Sequence, residues 1–82
     1  MPTVLEDGPY RLYFYTHDLV HEPPHVHIDR DDLSAKFWLN PVALARNLGF
    51  SAVELRRIER LVIAHQSDLL QKWYKAYGYS SR

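Results

Sequence analysis

The sequence predicts an α+β fold in which an antiparallel meander of about four strands packs against a long C-terminal α-helix, continuous or bent. Polar and apolar residues alternate through much of residues 3–47, as they do in half-buried strands. Residues 51–77 instead place apolar side chains at helical spacing. At 82 residues the chain has the length of one domain, so we expect a single domain over residues 1–82.

The predicted sheet begins with two strands separated by a turn. A short strand is expected around Thr3–Leu5, and Gly8-Pro9 separates it from the next one. Tyr10–Thr16 alternates and is rich in aromatic residues, which is typical of a strand. Residues 17–24 contain two prolines and scattered charges, so we expect a loop there.

Residues 25–39 predict a β-hairpin. His25–Arg30 and Leu33–Leu39 both alternate, and Asp31-Asp32 supplies the turn between them. If that turn has two residues, residues whose numbers sum to 63 pair across the hairpin. The face of the sheet toward the helix then carries Leu12, Phe14, Val26, Ile28, Ala35, Phe37 and Leu39.

The segment after the hairpin is harder to assign. Asn40-Pro41 interrupts the chain, because proline donates no hydrogen bond and restricts the residue before it. The alanines of Val42–Asn47 allow a helical turn, whereas its position directly after a turn favours another strand. We predict a strand.

The clearest local signal marks the start of the helical segment. Ser51 is placed to cap the first free N–H groups while Glu54 reaches back, which is a capping box. Phe50 and Leu55 occupy the two positions of a hydrophobic staple. An arc of about 180° then collects the apolar positions of the helix, which are Leu55, Ile58, Leu61, Val62, His65, Leu69, Leu70, Trp73, Ala76 and Tyr77.

The length of this segment predicts a bend or an overhang. One continuous helix would be about 40 Å long, whereas a compact chain of this size is roughly 30 Å across. We therefore expect either a bend near residues 65–67 or a helix end that packs on a partner. Gly78 is expected to end the helix. His65 lies within the apolar arc, which predicts a histidine packed in the core.

Composition excludes several classes of protein. Ten basic and ten acidic side chains give no net charge, so no global field favours nucleic acid. Residues 1–40 carry seven acidic and three basic side chains and residues 41–82 the reverse, which can mark a two-faced molecule. There is no cysteine and no apolar run of the roughly 20 residues that a membrane span needs. Residues 1–7 lack the basic start and apolar stretch of a signal peptide, so we expect none. We expect a cytoplasmic protein.

Strand parity gives the second face of the sheet, here called the open face, an unusual set of side chains. Across the hairpin, His25 lies opposite Trp38 and His27 lies opposite Lys36. Such groups can transfer protons, stack on bases and hold phosphates, although aromatic residues also pack across strands in purely structural faces. The preceding strand adds four residues of the same parity, namely Arg11, Tyr13, Tyr15 and His17.

Acid–base chemistry on an RNA phosphodiester is the first functional hypothesis for the open face. Histidine changes charge near neutral pH, so His25 and His27 could supply the base and the acid. Lys36 or Arg11 would then stabilise the developing charge. Substrate binding would use side chains that stack on bases or contact phosphates, namely Arg11, Tyr13, Tyr15 and Trp38.

Two alternatives stay open for the same face. His25 and His27 lie about 7 Å apart along a strand, and Asp29 follows on the same side. Two histidines and a carboxylate can hold a divalent metal ion, the one cofactor that the pattern suggests. The face could instead bind another protein, including a second copy of the chain, without catalysis.

Several stretches of the sequence also resemble a known family. Residues 22–27 read Glu-Pro-Pro-His-Val-His, and residues 35–41 read Ala-Lys-Phe-Trp-Leu-Asn-Pro. Gly-Phe-Ser follows at 49–51 and Leu-Arg-Arg-Ile-Glu at 55–59. With these stretches, nearly the whole chain resembles the small bacterial family catalogued as domain of unknown function 4160.

The resemblance implies a freestanding domain that forms the toxin half of a toxin–antitoxin pair. Its partners would be a small cognate antitoxin protein and RNA, if it acts on RNA or another part of translation. His25 and His27 match the family's signature, and Lys36 and Trp38 fall in its second stretch. The family has no settled reaction, so the resemblance transfers no catalytic role.

Overall fold

Five strands and two helices make up the structure. The computed structural model describes residues 3–15 and 21–80, with the backbone alone for residues 77–80. The strands form one antiparallel sheet in chain order, and both helices follow the sheet in the sequence. No helix in these described ranges is long and apolar enough to cross a membrane. The elements are β1 (Thr3–Asp7), β2 (Tyr10–Tyr13), β3 (His25–Arg30), β4 (Leu33–Leu39), β5 (Val42–Leu48), α1 (Ala52–Ala64) and α2 (Gln66–Ser80).

The predicted α+β class is confirmed, and its details need three corrections. The meander has five strands rather than about four. The strand predicted for residues 42–47 is confirmed and is the last strand of the sheet. The helical segment is two helices rather than one long helix. The break at His65 lies in residues 65–67, where a bend was one of the two expected alternatives. The second strand ends at Tyr13 rather than at Thr16, which lies outside the described residues.

The hairpin of β3 and β4 has the predicted register. Val26 pairs with Phe37, His27 with Lys36, and every pair of this ladder sums to the same number. The turn is tight because Asp31 adopts a φ of 55°, a left-handed conformation that aspartate tolerates better than most residues.

One residue of β5 is left without a partner in β4. Lys36 pairs with Arg46, whereas the next residue, Phe37, pairs with Leu44. Ala45 is therefore a β-bulge, which changes the side of the sheet to which the following residues point. Because of this bulge, Arg46 shares the open face with Lys36, and Leu44 lies on the helix side with Phe37.

The start of α1 follows half of the predicted capping box. The Ser51 hydroxyl accepts a hydrogen bond from the Glu54 backbone N–H at 3.2 Å. The Glu54 carboxylate, however, does not accept the hydrogen bond from the Ser51 backbone N–H that would complete the capping box. It accepts two hydrogen bonds from the Arg30 guanidinium, at 2.6 and 2.8 Å, and one from the Tyr10 hydroxyl at 2.8 Å. The carboxylate thus ties the hairpin to the helix.

The helix break at His65 is held by contacts to the sheet. His65 Nε2 lies 3.1 Å from Asp7 Oδ2, and the Gln66 side chain donates to the Leu39 carbonyl at 2.7 Å. His65 is consequently half-buried rather than packed in the core as predicted. Gly78 does not end the helical segment, which continues to Ser80.

The core lies between the helices and one face of the sheet. All seven strand residues predicted to face the helix are buried, which confirms the assignment of that face. The helices contribute Ile58, Val62, Leu69 and Trp73. Phe50 is buried with them and Leu55 packs against the cluster, as a hydrophobic staple requires.

The link from β5 to α1 depends on a glycine. Gly49 has a φ of +107°, and a Cβ atom there would lie 2.6 Å from Leu33 Cδ2. We expect Gly49→Ala to lower the free energy of unfolding by about 2 kcal/mol, since both backbone strain and the Leu33 contact oppose it. Gly8→Ala is the matched control, because Gly8 has a φ of +57° with nothing within 4 Å. Urea unfolding curves should show the smaller loss for the control, and equal losses would contradict this account.

The Glu54 carboxylate predicts a pH dependence of stability. Hydrogen bonds from Arg30 and then Tyr10 lower the pKa of Glu54 below its usual value. A lowered folded-state pKa means that this stabilisation is present above the unfolded-state pKa and is lost as pH falls through the folded-state value. The free energy of unfolding, measured by denaturant between about pH 3 and pH 7, should therefore fall on acidification. Glu54→Gln should flatten that acid limb, and an unchanged slope in the variant would argue against the assignment.

Candidate functional site

A row of four polar side chains crosses the open face. Tyr13 on β2 pairs with His27 on β3, His27 pairs with Lys36 on β4, and Lys36 pairs with Arg46 on β5. Directly opposed residues of neighbouring strands project to the same side of a sheet. The meander therefore places a phenol, an imidazole, an ammonium and a guanidinium side by side.

This row lines a pocket of about 310 Å³, here called the open-face pocket. Its size is at the lower end of the range of small-ligand sites. The loop before β3 and the residues next to the row complete its walls. The lining consists of Tyr13, Tyr15, Glu22, His27, Ser34, Ala35, Lys36, Arg46 and Leu48.

Two tyrosines hold the His27 ring in place. Tyr13 stacks on it with the ring centroids 5.3 Å apart and an interplanar angle of 18°. Tyr15 meets it edge to face, with the centroids 4.5 Å apart. Tyr15 is 39% exposed, so one aromatic ring at this site remains accessible to a ligand.

The Tyr13 hydroxyl is held as a neutral donor. It donates to Asp29 Oδ1 at 3.0 Å. Burial raises the pKa of Tyr13 well above its usual value, and hydrogen bonds with Tyr15 and Asp29 raise it further. The phenol therefore keeps its proton near neutral pH and can donate a hydrogen bond.

The two cations of the row differ in their partners. The Lys36 ammonium donates to Glu22 Oε1 at 2.5 Å and lies 4.7 Å from the centroid of the Trp38 ring. Arg46 is exposed and has no carboxylate partner within residues 3–15 and 21–80. Its charge is thus the one on this row that no neighbouring acid offsets, and an anionic ligand would meet it first.

His25 occupies a different environment from the one that strand parity suggested. It is 0% exposed and does not line the open-face pocket. Its ring lies 5.0 Å from Trp73 of α2, 5.1 Å from His27 and 5.6 Å from Trp38. Its Nδ1 donates to the Pro23 carbonyl at 3.0 Å, because a carbonyl oxygen can only accept. His25 therefore packs between Trp73 of α2 and His27 and helps to fix the position of the His27 ring.

Arg11 and Trp38 lie beside the open-face pocket rather than in its lining. The Arg11 guanidinium lies 4.7 Å from the centroid of the Tyr13 ring, and its Nε donates to the Thr3 hydroxyl at 2.8 Å. Trp38 contacts Lys36 and His25. The structure thus brings His27, Lys36, Tyr13 and Tyr15 together from the predicted set. His17 lies outside the described residues.

The predicted alternative of a metal site is not assembled in the described part of the chain. No group of three or more histidine, aspartate or glutamate side chains lies there in an arrangement that could hold a metal ion. Among the three residues of that hypothesis, His25 is buried against α2, and Asp29 accepts a hydrogen bond from Tyr13. His27 is held between Tyr13 and Tyr15.

Two charged residues of the open-face pocket, Arg46 and Glu22, were not predicted from the sequence. Arg46 reaches the open face only because of the bulge at Ala45, and a single inserted residue in a strand leaves no pattern to detect. Glu22 lies in the loop before β3, where no periodicity exists. Its position next to Pro23-Pro24 and three residues before His25 was the available hint.

The comparisons with known proteins agree with the family resemblance. A family model described as Domain of unknown function (DUF4160) matches residues 10–74, which include the whole open-face pocket. No curated protein and no solved structure matches the chain. Because the family model covers well over half of the 82 residues, the chain belongs to the DUF4160 family.

Proposed function

We propose that the protein is the toxin component of a toxin–antitoxin pair and that it acts on RNA bound in the open-face pocket. The observation that carries this proposal is the row of Tyr13, His27, Lys36 and Arg46 across four strands. The toxin assignment draws on the family resemblance, and the RNA assignment draws on the chemistry of the row.

The row offers separate contacts for the phosphate and the base of a nucleotide. Arg46 can donate to a phosphate in bidentate fashion, and Lys36 adds a second positive charge close by. Tyr15 presents an accessible ring on which a base can stack. Single-stranded RNA suits such a site because its unpaired bases can be splayed out and stacked.

His27 is the residue in this pocket that can move a proton at neutral pH. It accepts the proton of a ribose 2′-hydroxyl, whose oxygen then attacks the adjacent phosphorus. The bond from phosphorus to the 5′ oxygen breaks, and that oxygen takes a proton from water. The remaining hydroxide is neutralised by the imidazolium, leaving a 2′,3′-cyclic phosphate and a 5′-hydroxyl. Lys36 and Arg46 stabilise the charge on the phosphate oxygens during this step.

Replacing Arg46 tests the RNA assignment directly. We expect Arg46→Gln to weaken the binding of a fluorescent single-stranded RNA about tenfold and to reduce the salt slope by about one. Arg60→Gln is the control, because Arg60 is an exposed arginine on α1 that does not line the pocket. Fluorescence anisotropy at several salt concentrations measures both effects. Equal losses in the two variants would show that the pocket is not the RNA site.

A binding module without catalysis is the second candidate function. Because His25 is buried, the pocket has one histidine instead of the two that an acid and a base would need. The Lys36 ammonium is already paired with the Glu22 carboxylate. Such a module would bind RNA or a protein at the pocket and leave RNA intact. Incubation of the purified protein with total RNA, followed by a denaturing gel, distinguishes the two functions.

A further inference from the structure

The two edges of the sheet are protected unequally. β1 is short and acidic at its end, and its Val4 carbonyl accepts a hydrogen bond from the Lys72 ammonium at 2.8 Å. β5 has seven residues, contains no proline, and pairs only with β4 among the described residues. An open strand edge presents a row of free N–H and C=O groups to which another strand can add.

A groove runs beside this free edge. It lies between β5 and α1, has a volume of about 170 Å³, and is lined by Phe37, Leu44, Leu55, Arg56 and Glu59. We call it the β5–α1 groove. Leu44 is 45% exposed, a large value for a leucine next to the core. The groove thus offers apolar contacts directly alongside unpaired main-chain groups.

The surroundings of the groove carry an excess of positive charge. Residues 42–64, which form β5 and α1, contain four arginines and two glutamates. One of these glutamates, Glu54, is already paired with Arg30. Neither Arg46 on the open face nor Arg56 on the groove side has a carboxylate partner in the described part of the chain.

We propose that the free edge of β5 is the docking site for an extended segment of a partner protein in which acidic and apolar side chains alternate. The segment adds as a sixth strand of the sheet, as peptides do in β-augmentation. Its apolar side chains enter the β5–α1 groove beside Leu44 and Leu55. Its acidic side chains point to the opposite side of the sheet, where Arg46 lies.

The charges favour this partner over a second copy and over RNA. Pairing β5 with the β5 of another copy would offer the two Arg46 side chains no acidic partner. On the β1 edge of another copy, the Val4 carbonyl already accepts a hydrogen bond from Lys72. RNA could contact the arginines but would leave the exposed Leu44 without an apolar partner. A strand with alternating acidic and apolar residues can hydrogen-bond to the β5 main chain, fill the groove with apolar side chains and pair acidic side chains with arginine.

The test uses the full chain, labelled with ¹⁵N, and a synthetic peptide of alternating glutamate and valine as long as β5. We expect chemical-shift changes concentrated in β5 and the first half of α1, together with slower amide exchange of β5. A peptide methylated on alternate backbone nitrogens serves as the control, because it has the same side chains but lacks half of the donors. It should bind about tenfold more weakly.

Two variants locate the contact. Leu44→Glu should weaken peptide binding about tenfold, and Arg46→Gln should also weaken it. Val53→Glu is the charge-matched control for the first, because Val53 is 61% exposed on α1 and does not line the groove. Arg60→Gln is the control for the second, and neither control should change the affinity. All four variants replace exposed side chains, so circular dichroism should show that they remain folded.

Several outcomes would overturn the proposal. The first is the absence of shifts in β5 at a peptide concentration of about 1 mM. Equal binding of the methylated peptide would show that the strand edge is not used. A dimer in sedimentation equilibrium that Leu44→Glu dissociates would assign the edge to a second copy. Shifts of the groove amides with single-stranded RNA, but not with the peptide, would assign the surface to nucleic acid.

Discussion

Replacing Trp73 with alanine is expected to lower the free energy of unfolding by about 3–5 kcal/mol. Trp73 is buried, and its ring meets Phe14 edge to face at 5.1 Å and His25 at 5.0 Å. It is among the largest fully buried side chains, so its removal leaves a cavity that the small core can fill only in part. A loss of this size is a large share of the roughly 5–15 kcal/mol that stabilises a typical domain.

The neighbouring Tyr74 provides the control for this substitution. Tyr74 is 58% exposed on the same helix, so Tyr74→Ala should change stability by no more than about 0.5 kcal/mol. Urea unfolding followed by circular dichroism measures both variants. A loss below about 1 kcal/mol for Trp73→Ala would mean that α2 is not part of the cooperative unit.

Trp73 also links the core to the open-face pocket. Trp73 of α2 contacts His25, and His25 in turn contacts His27 of the pocket. Trp73→Phe keeps an aromatic ring at this position and should retain most of the stability, since the cavity it leaves is smaller. If RNA cleavage falls in Trp73→Phe while folding persists, the position of His25 matters for the site beyond its effect on stability.

The register of the hairpin could be predicted from the sequence because two local rules agree. A two-residue turn at Asp31-Asp32 fixes which residues oppose each other, and alternation fixes which face each residue takes. A slip of β3 by one residue relative to β4 would have turned Val26 and Ile28 to the open face and His27 to the core. Only one register keeps the apolar residues together.

Other features depend on contacts between distant segments and leave no local pattern. The apolar arc of residues 55–77 continues without a phase slip, so the expected bend near residues 65–67 rested on the length of the segment and not on its pattern. The break is held by His65 against Asp7 and by Gln66 on the Leu39 carbonyl, and these partners lie 58 and 27 residues apart in the chain. Local periodicity assigns each of these residues to a face of its own helix or strand. It does not show which residue of a distant element that face will contact.

Burial of His25 shows the same limit within the site. Strand parity predicted the side of the sheet to which its ring points, but it cannot predict whether a distant element covers that ring. Here Trp73 of α2 covers it at the end of the sheet where β3 begins. Arg46 shows the converse, since a bulge moved a residue into the site that no pattern had placed there.

Replacing His27 with glutamine is expected to reduce RNA cleavage at least about 100-fold, since a positioned acid–base group typically contributes a factor of this size. Glutamine keeps a polar side chain between Tyr13 and Tyr15, but it cannot take the proton of the 2′-hydroxyl. RNA binding should therefore persist within about threefold, because Lys36 and Arg46 are unchanged. His65→Gln is the matched control, as His65 lies at the helix break and outside the pocket.

The substrate provides an independent test of the same step. An RNA with a single 2′-deoxy residue at the cleaved position should bind normally and remain intact, because the attacking oxygen is missing. Cleavage of that RNA would rule out transesterification even if His27→Gln were inactive. Unchanged cleavage by His27→Gln would remove the imidazole from the reaction. If the unmodified protein binds RNA but never cleaves it, the row of Tyr13, His27, Lys36 and Arg46 is a binding surface only. Growth arrest would then require that the protein stay bound to its RNA target rather than cleave it.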